Sequence, residues 1–329
     1  MSEEVLNING IEVAPGEKKQ IRIHVGRLPS GTQINIHAQV FRAMKEGPCM
    51  LILAGVHGDE INGVEIVRRA LDQGYFSHLK AGTAIVIPLL NVYGFLHFSR
   101  EVPDGKDVNR SFPGNFKGSL ASRVARTMTK RILPVIDFGI DFHTGGANRF
   151  NFPQIRYTRG SSQALELAKA FAPPIIFEKP AFSKTFRKEA HKMGKPILVY
   201  EGGEALRLDG LSIHTALSGL ERLMVSQGLI NQASDVHRKP LHVKKSGWVR
   251  AAVAGVFEWV KNSGQPVTKG EVMGYIRDPH GGRRKRITAP KDGYVLGHNN
   301  SPVVNQGDAL FNVGYTIQNW GEFYNYCFF

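Results

Sequence analysis

The sequence predicts an α/β fold, with a mixed but largely parallel sheet and helices on both faces, followed by a small all-β domain. Apolar, β-branched runs alternate with helical segments between residues 50 and 227. Strands that are buried on both faces have this continuous hydrophobic character, and the alternation is typical of a parallel sheet. From about residue 241 to 314, no helical periodicity appears, and Gly and Pro separate short β-rich runs, which indicates an all-β unit.

The individual elements follow from local patterns in chain order. Residues 20–25 and 33–43 alternate around a Pro-Ser-Gly turn, which predicts an antiparallel pair of strands. Apolar residues that recur every three or four positions predict helices, and uninterrupted apolar runs predict buried strands. Helices are predicted over residues 60–73, 119–133, 161–171, 185–193 and 212–227. Strands are predicted over residues 50–56, 83–90, 135–142, 174–177, 196–200, 255–260, 271–276, 294–296 and 309–313.

The chain is long enough for two domains, since its 329 residues are 42% hydrophobic and 21% charged, an ordinary globular profile. We predict a larger domain over residues 1–235, in which 1–48 form N-terminal strands, a β domain over 236–317 and an aromatic tail over 318–329. The two cysteines do not indicate a disulfide framework. The acidic N-terminus lacks a secretory pattern, and no apolar run approaches the ~20 residues of a membrane span. We therefore expect a cytoplasmic protein without a membrane partner.

The formal charge of +14 raises the question of nucleic-acid binding. The basic residues are scattered, and no zinc-finger, RNA-recognition or helix-turn-helix signature appears. We expect no nucleic-acid partner, and either an ordinary basic surface or a positive potential that attracts a small anionic substrate. Homo-oligomer formation stays open at this point.

Residues with metal-ligand and acid–base chemistry follow the predicted strands. His57 and Glu60 lie three residues apart at a strand-to-helix turn, and His143 ends another strand, so the three can converge at the carboxyl edge of the sheet. They predict a His₂Glu zinc site with an open position for water. Glu201 follows a further strand and precedes two glycines, and we predict that it is the base that uses this water. Glu204 is the competing carboxylate, and we expect it in a solvent-facing loop.

Further polar residues could support this chemistry. Asp107 and Asp141 are candidates to accept a hydrogen bond from the outer nitrogen of a ligating His. A zinc hydrolase of amides also needs a cation at the developing oxyanion and often another at a substrate carboxylate. Arg100 and the pair Asn109-Arg110 are the candidates for these roles. Loops at 148–157 and 181–186 are expected to shape the specificity pocket.

Five short motifs, taken together, resemble the succinylglutamate desuccinylase/aspartoacylase family, which is related to the zinc carboxypeptidases. They run in the family's order and cover about residues 48–230, although no single motif is specific. The matching segments are Gly55–Glu65 (GVHGDEINGVE), Asn91–Phe95 (NVYGF), Asp104–Gly114 (DGKDVNRSFPG), Asp141–Gly146 (DFHTGG) and Tyr200–Gly203 (YEGG).

The resemblance implies a zinc-carboxypeptidase-like fold and a deacylase that holds one Zn²⁺ per subunit. The roles that it implies fall on residues already named above: zinc on His57, Glu60 and His143, general base and acid on Glu201, oxyanion stabilisation on Arg100, substrate carboxylate binding on Asn109 and Arg110, and orientation of His57 by Asp107.

The C-terminal part is also similar to the β domain of bacterial deacylases of this family, which has the barrel-sandwich shape of biotinyl and lipoyl carrier domains. Residues 264–270 and 289–293 carry the likeness. A carrier domain needs a modifiable Lys at a hairpin tip, but the corresponding loop, 278–286, is Arg-rich and has no Met-Lys-Met motif. We therefore exclude a carrier function and expect the domain to border the active-site cleft. The basic loop is expected to be solvated, or else to bring cations to an anionic substrate.

Three functional hypotheses follow. The favoured one is zinc-dependent hydrolysis of the amide bond of a small N-acyl amino acid or related N-acylated amine, of the deacetylase or desuccinylase type. A metallocarboxypeptidase that acts on peptides would use the same ligands. A non-catalytic basic protein that binds nucleic acid is disfavoured, since a degenerate relative would be expected to have lost a ligand, the base or the arginine.

Overall fold

The computed structural model of the chain describes residues 5–233 and 239–318. The strands of these residues are β1 (Leu6–Ile8), β2 (Ile11–Val13), β3 (Lys18–Arg27), β4 (Gln33–Arg42), β5 (Cys49–Ala54), β6 (Thr83–Ile87), β7 (Phe138–Gly145), β8 (Arg149–Thr158), β9 (Ile175–Lys179), β10 (Ile197–Glu204), β11 (Leu241–Arg250), β12 (Gly255–Trp259), β13 (Pro266–Val267), β14 (Val272–Arg277), β15 (Arg284–Thr288), β16 (Gly293–Asn299), β17 (Val303–Val304) and β18 (Ala309–Gln318). The α-helices are α1 (Ile61–Asp72), α2 (Val92–Leu96), α3 (Leu120–Thr127), α4 (Ser162–Phe171), α5 (Phe186–Lys192) and α6 (Gly210–Ser226).

Twelve strands form one mixed sheet in the order β13-β16-β18-β11-β9-β8-β10-β7-β5-β6-β4-β3. Its centre, β10-β7-β5-β6, is parallel, while β3 and β4 form the predicted antiparallel pair. Every residue of β5, β6 and β7 is buried, which is why these strands have continuous apolar sequences. The parallel centre brings the carboxyl ends of several strands to one edge.

Helices cover both faces of this sheet, as the sequence predicted. Helices α1, α4 and α6 pack on one face, where side chains such as Ile66, Phe171 and Leu220 join the core. Helices α3 and α5 pack on the other face, with Val124 and Phe186 in a second core cluster. The structure therefore has the mixed α/β class that was expected.

Two segments differ most from the sequence prediction. Residues 148–157 were expected to be a loop, but Arg149–Thr158 is strand β8, which pairs with β10 on one side and β9 on the other. A proline, an asparagine and two arginines obscure the pattern, because they are uncommon in a central strand. The helix expected over 119–133 ends its α-helical part at Thr127 and continues as π- and 3₁₀-helical turns through Val135.

The described part of the C-terminal segment contains strands and no helix, in agreement with the all-β prediction. Strands β12, β14, β15 and β17 form a separate four-stranded sheet. Strand β11, however, pairs in parallel with β9, and β16 pairs with β8, so the main sheet continues into this segment. The predicted boundary at 235 and the tail beyond 318 lie outside the described residues. Within these residues, no helix is both long and apolar enough to cross a membrane.

Candidate functional site

The carboxyl edge of the parallel strands gathers the residues that the sequence singled out. His57 follows the end of β5 by three residues, and His143 lies near the end of the neighbouring strand β7. Glu201 of β10 stands directly opposite His143 in the parallel register, so the two side chains point to the same face of the sheet. The turn after His57 packs tightly against the chain, because a Cβ on Gly58 would overlap the backbone of Gly94.

His57, Glu60 and His143 form one buried cluster. The carboxylate of Glu60 contacts both imidazoles, with 2.8 Å from Oε1 to Nδ1 of His57 and 2.7 Å from Oε2 to Nδ1 of His143. The backbone N–H of Thr144 donates to Oε2 of Glu60 at 3.1 Å. One potential ligand atom from each of the three side chains lies within 4.8 Å of the others. Two imidazole nitrogens and a carboxylate are a donor set that suits zinc.

Two aspartates hold the outer nitrogens of these imidazoles. Asp141 Oδ2 lies 2.8 Å from Nε2 of His143, and Asp107 Oδ1 lies 3.2 Å from Nε2 of His57. A carboxylate at Nε2 favours the tautomer that carries its proton there, which leaves Nδ1 free to bind a metal. Both imidazoles therefore present Nδ1 to the same point, and the geometry fits a divalent ion on the three side chains.

The electrostatics of the cluster favour positive charge at that point. Burial by itself lowers the pKa of His143, but the carboxylates of Asp141 and Glu60 outweigh it and hold this pKa well above its ordinary value. Burial likewise lowers the pKa of His57, but Glu60 and Asp107 outweigh it and raise this pKa above its ordinary value. Burial favours the neutral form of Glu60, yet the two histidines lower its pKa well below the ordinary value. The buried carboxylates thus create a negative potential that would stabilise a bound cation.

Arg100 reaches over this cluster from the segment before Asp107. Its Nη1 lies 3.2 Å from Oε1 of Glu60 and 3.1 Å from Nδ1 of His57, and its Nη2 lies 2.8 Å from Oδ2 of Asp107. The guanidinium is therefore held by two carboxylates beside the three candidate ligands. This is a suitable position for a cation that stabilises negative charge developing next to a metal.

Asn109 and Arg110 line the same cavity from a short 3₁₀ turn. The amide oxygen of Asn109 accepts a hydrogen bond from the backbone N–H of Phe186 at 2.9 Å, which ties the turn to the start of α5. The Arg110 guanidinium donates to the backbone oxygen of Asn109 at 2.8 Å and is otherwise exposed. Both residues therefore line the same cavity as the three candidate ligands, and their binding of a substrate carboxylate stays a prediction.

Glu201 is held by two residues that the sequence analysis missed. Arg156 Nη1 donates to Oε1 of Glu201 at 2.6 Å, and Asn151 Nδ2 donates to Oε2 at 2.9 Å. Both partners belong to β8, the strand that was expected to be a loop. The available sequence signal was their polarity within a segment that was expected to shape the pocket, but their contact with Glu201 depends on the pairing of β8 with β10.

Glu204 was expected to face solvent, and this prediction is wrong. The residue is the last of β10 and is buried, and its Oε2 accepts a hydrogen bond from Asn300 Nδ2 in the C-terminal segment. Strand β10 runs longer than its apolar part suggests, because Glu204 still pairs with Gly145 of β7 after a register shift. The contact with Asn300 accounts for the burial.

A cavity of about 580 Å³ joins these groups. The three candidate ligands, Glu201, Arg100, Asn109 and Arg110 all line it. The two segments that were expected to shape the specificity pocket also contribute lining residues, including Arg149, Asn151, Arg156 and Phe182. Lys179, Arg187 and Trp248 line the cavity as well and were not identified from the sequence. Trp248 of β11 brings the C-terminal segment to the cavity wall. The basic hairpin at 278–286 supplies none of the described lining residues, and its arginines are exposed.

Comparisons with known proteins identify one family. The sequence model of the succinylglutamate desuccinylase/aspartoacylase catalytic-domain family matches residues 46–226. A curated relative is the N-alpha-acetyl-L-2,4-diaminobutyric acid deacetylase of Halomonas elongata, which is 28% identical over 295 residues. The alignment covers 84% of this chain and 84% of that protein.

Solved structures share the fold over nearly the whole chain. The succinylglutamate desuccinylase/aspartoacylase from Rhodobacter sphaeroides superposes with a TM-score of 0.81 at 24% identity, covering 91% of this chain and 95% of that one. The product-bound ectoine utilization protein EutE (DoeB) from Ruegeria pomeroyi superposes with a TM-score of 0.83 at 22% identity, covering 96% and 100%. At these identities the likeness concerns the fold alone.

Proposed function

This chain belongs to the succinylglutamate desuccinylase/aspartoacylase family, and we propose that it is a zinc-dependent deacylase that hydrolyses the amide bond of a small N-acyl amino acid or related N-acylated amine. The observation that carries the proposal is the convergence of His57, Glu60 and His143 with Glu201 in one cavity. The deacetylase activity named for the Halomonas elongata relative supports amide hydrolysis within the family.

The proposed metal ligands are Nδ1 of His57, Nδ1 of His143 and the carboxylate of Glu60. Zinc bound there would polarise the acyl carbonyl and lower the pKa of a water molecule to about 7. The outer aspartates keep both imidazoles in the ligating tautomer. The burial of the cluster excludes bulk water from all positions except the side that opens to the cavity.

Glu201 is the proposed base and acid. Its carboxylate would take a proton from the attacking water and return it to the amine nitrogen as the amide C–N bond breaks. Asn151 and Arg156 fix the orientation of this carboxylate through one hydrogen bond to each oxygen. A fixed carboxylate needs less reorganisation during proton transfer than a mobile one.

The remaining polar residues would bind the other parts of the substrate. Arg100 is in place to donate to the oxygen that becomes negative when water attacks the carbonyl. Asn109 and Arg110 lie on the same wall and would bind the α-carboxylate of the amino acid. The proposed substrate is therefore small and anionic, and neither nucleic acid nor a membrane is a proposed partner.

The substitution Glu201→Gln tests the proposal. We expect it to lower kcat by about 10²–10⁴-fold while the protein retains its metal, because proton transfer is lost and the candidate ligands stay. Glu204→Gln, three residues along the same strand, is the matched control and should retain activity. The assay is amine release from N-acetyl, N-succinyl and N-formyl amino acids before and after chelation and zinc return, with peptides in parallel.

Zinc-restored amine release that is lost in Glu201→Gln supports the deacylase. Release of C-terminal residues from peptides, without release from N-acyl amino acids, would instead support the metallocarboxypeptidase. Wild-type turnover in Glu201→Gln, or full activity after complete removal of metal, would contradict the proposed chemistry.

A further inference from the structure

Strand β16 of the C-terminal segment pairs with β8 directly beside the proposed general base. Asn151 of β8 stands opposite Gly297 of β16 on one side and opposite Gly203 of β10 on the other. Its Nδ2 donates to Oε2 of Glu201 at 2.9 Å. A single side chain, that of Asn151, therefore connects the backbone at Gly297 with the carboxylate of Glu201.

The missing side chain at position 297 leaves the space that Asn151 occupies. A Cβ on Gly297 would lie 2.8 Å from Oδ1 of Asn151 and 2.7 Å from the backbone oxygen of Phe150. Even a close C–H···O contact keeps carbon and oxygen about 3.3 Å apart. The backbone at Gly297 does not adopt the left-handed conformation that favours glycine. Space for Asn151, and not backbone conformation, is therefore what a side chain here would disturb.

Contacts on both sides of Gly297 hold β16 against β8. Nε2 of Gln154 donates to the backbone oxygen of the residue before Gly297 at 3.3 Å. The ring of His298 stacks on that of Phe150, with 5.5 Å between the ring centres. Paired strands that are fixed in this way separate less easily than a side chain changes its rotamer. An added methyl group would therefore displace the carboxamide of Asn151.

This displacement would reach the general base. The hydrogen bond from Asn151 holds Oε2 of Glu201, while Arg156 Nη1 holds Oε1 at 2.6 Å. Without the first contact, one donor remains, and the carboxylate can turn about it. A base that is misplaced by a fraction of an ångström transfers the proton of a bound water less efficiently. The effect is expected on the rate of the chemical step.

We propose that Gly297 is a positioning residue for the general base, because the space that it leaves holds the carboxamide of Asn151 in the orientation that donates to Glu201. The inference rests on the proposed function and deepens it, since it makes one backbone position of the C-terminal segment necessary for the geometry of the base. Asn151 lines the cavity, whereas Gly297 is not among its described lining residues. A change at Gly297 should therefore leave the binding of substrate and metal nearly unaffected.

The substitution Gly297→Ala tests the proposal on the zinc-loaded protein. The substrate is the N-acetyl, N-succinyl or N-formyl amino acid that the unmodified protein cleaves fastest. We expect kcat to fall by about 10- to 100-fold, because the base loses its orientation, while KM changes by less than about twofold. Zinc affinity, measured by competition with a chromogenic chelator, should also stay within about twofold.

Gly314→Ala is the matched control for a general disturbance of the same strands. Gly314 lies in β18 and pairs with Tyr294 of β16, and a Cβ there would lie 2.9 Å from side-chain atoms of Leu296 and Val243. Thermal unfolding should show that both substitutions destabilise the protein. Only Gly297→Ala should lower kcat. An equal fall of kcat in Gly314→Ala would assign the effect to general destabilisation and overturn the proposal.

A double variant tests whether Gly297 acts through Asn151. Asn151→Ala should itself lower kcat, and it removes the oxygen that the new methyl group would meet. Adding Gly297→Ala to Asn151→Ala should therefore lower kcat by less than about twofold further. If Gly297→Ala alone does not fold, folding of the double variant supports the conflict with Asn151. A double variant that also fails to fold, or a full additional loss of kcat, would overturn the proposal.

Crystal structures of the unmodified protein and of Gly297→Ala separate failure of this inference from failure of the proposed function. We expect Nδ2 of Asn151 to move beyond hydrogen-bond distance of Oε2 of Glu201 in the variant. This movement, in a protein that cleaves no N-acyl amino acid, would support the role of Gly297 and contradict the deacylase. A hydrogen bond from Asn151 to Glu201 that is unchanged in Gly297→Ala would overturn the positioning role.

Discussion

The outer aspartates should control metal affinity to different extents. Asp141 is 1% exposed, and its Oδ2 lies 2.8 Å from Nε2 of His143, whereas Asp107 makes a longer contact of 3.2 Å with His57 and also binds Arg100. Replacement by Asn removes the charge that stabilises the Nε2–H tautomer. Removal of such a partner lowers metal affinity by about 10–100-fold, or about 1.4–2.8 kcal/mol.

We expect Asp141→Asn to lie at the upper end of this range and Asp107→Asn at the lower end. Asp107 already divides its charge between His57 and Arg100, so less of its effect reaches the ligand. Zinc affinity is measured by competition with a chromogenic chelator, which does not depend on turnover. Asp137→Asn, at the opposite end of β7 with a largely exposed side chain, is the control. Affinity within twofold of the unmodified protein in Asp141→Asn, or a larger loss in Asp107→Asn, would refute the reasoning.

Two further predictions concern pH and packing. Burial lowers the pKa of His298 to about 4, below its value of about 6.5 in the unfolded chain. The unfolded state therefore takes up the proton first, and the free energy of unfolding should fall by up to about 3 kcal/mol between pH 6.5 and 4. Other groups also titrate in this range, so the test is the difference between two proteins: urea unfolding should show a pH dependence that is smaller by about this amount in His298→Gln than in the unmodified protein. Gly58→Ala should destabilise the fold by about 1–3 kcal/mol or more in thermal unfolding, because its Cβ would overlap backbone. Gly210→Ala, where the added Cβ meets open space, should not.

Local pattern was sufficient to predict the candidate metal cluster. His57, Glu60 and His143 follow buried strands with unmistakable apolar sequences, and parallel strands necessarily share one carboxyl edge. Proximity of the three side chains therefore follows from strand identification alone. Asp107 and Arg100 come from loops, and they were expected at the cluster from the chemistry of a zinc site and from the family resemblance, not from strand geometry.

The residues around Glu201 could not be predicted in this way. Asn151 and Arg156 reach it because β8 lies antiparallel to β10 and between β9 and β10, a pairing that crosses the chain order. Because this strand was interpreted as a loop, the contacts of both residues with Glu201 were not predicted. Glu204 was misplaced for a similar reason, since its burial depends on Asn300, nearly one hundred residues further along the chain.

The sequence by itself determined the α/β class, most of the buried strands and helices, and the three candidate ligands. These features depend on hydrophobic periodicity and on residues that directly follow strands, which are local properties. Only the tertiary structure decided that the main sheet continues into β11 and β16, and that Lys179 and Arg187 share a wall with Glu201. Strand order and the environment of a buried charge depend on contacts between distant segments, and a single sequence does not specify them locally.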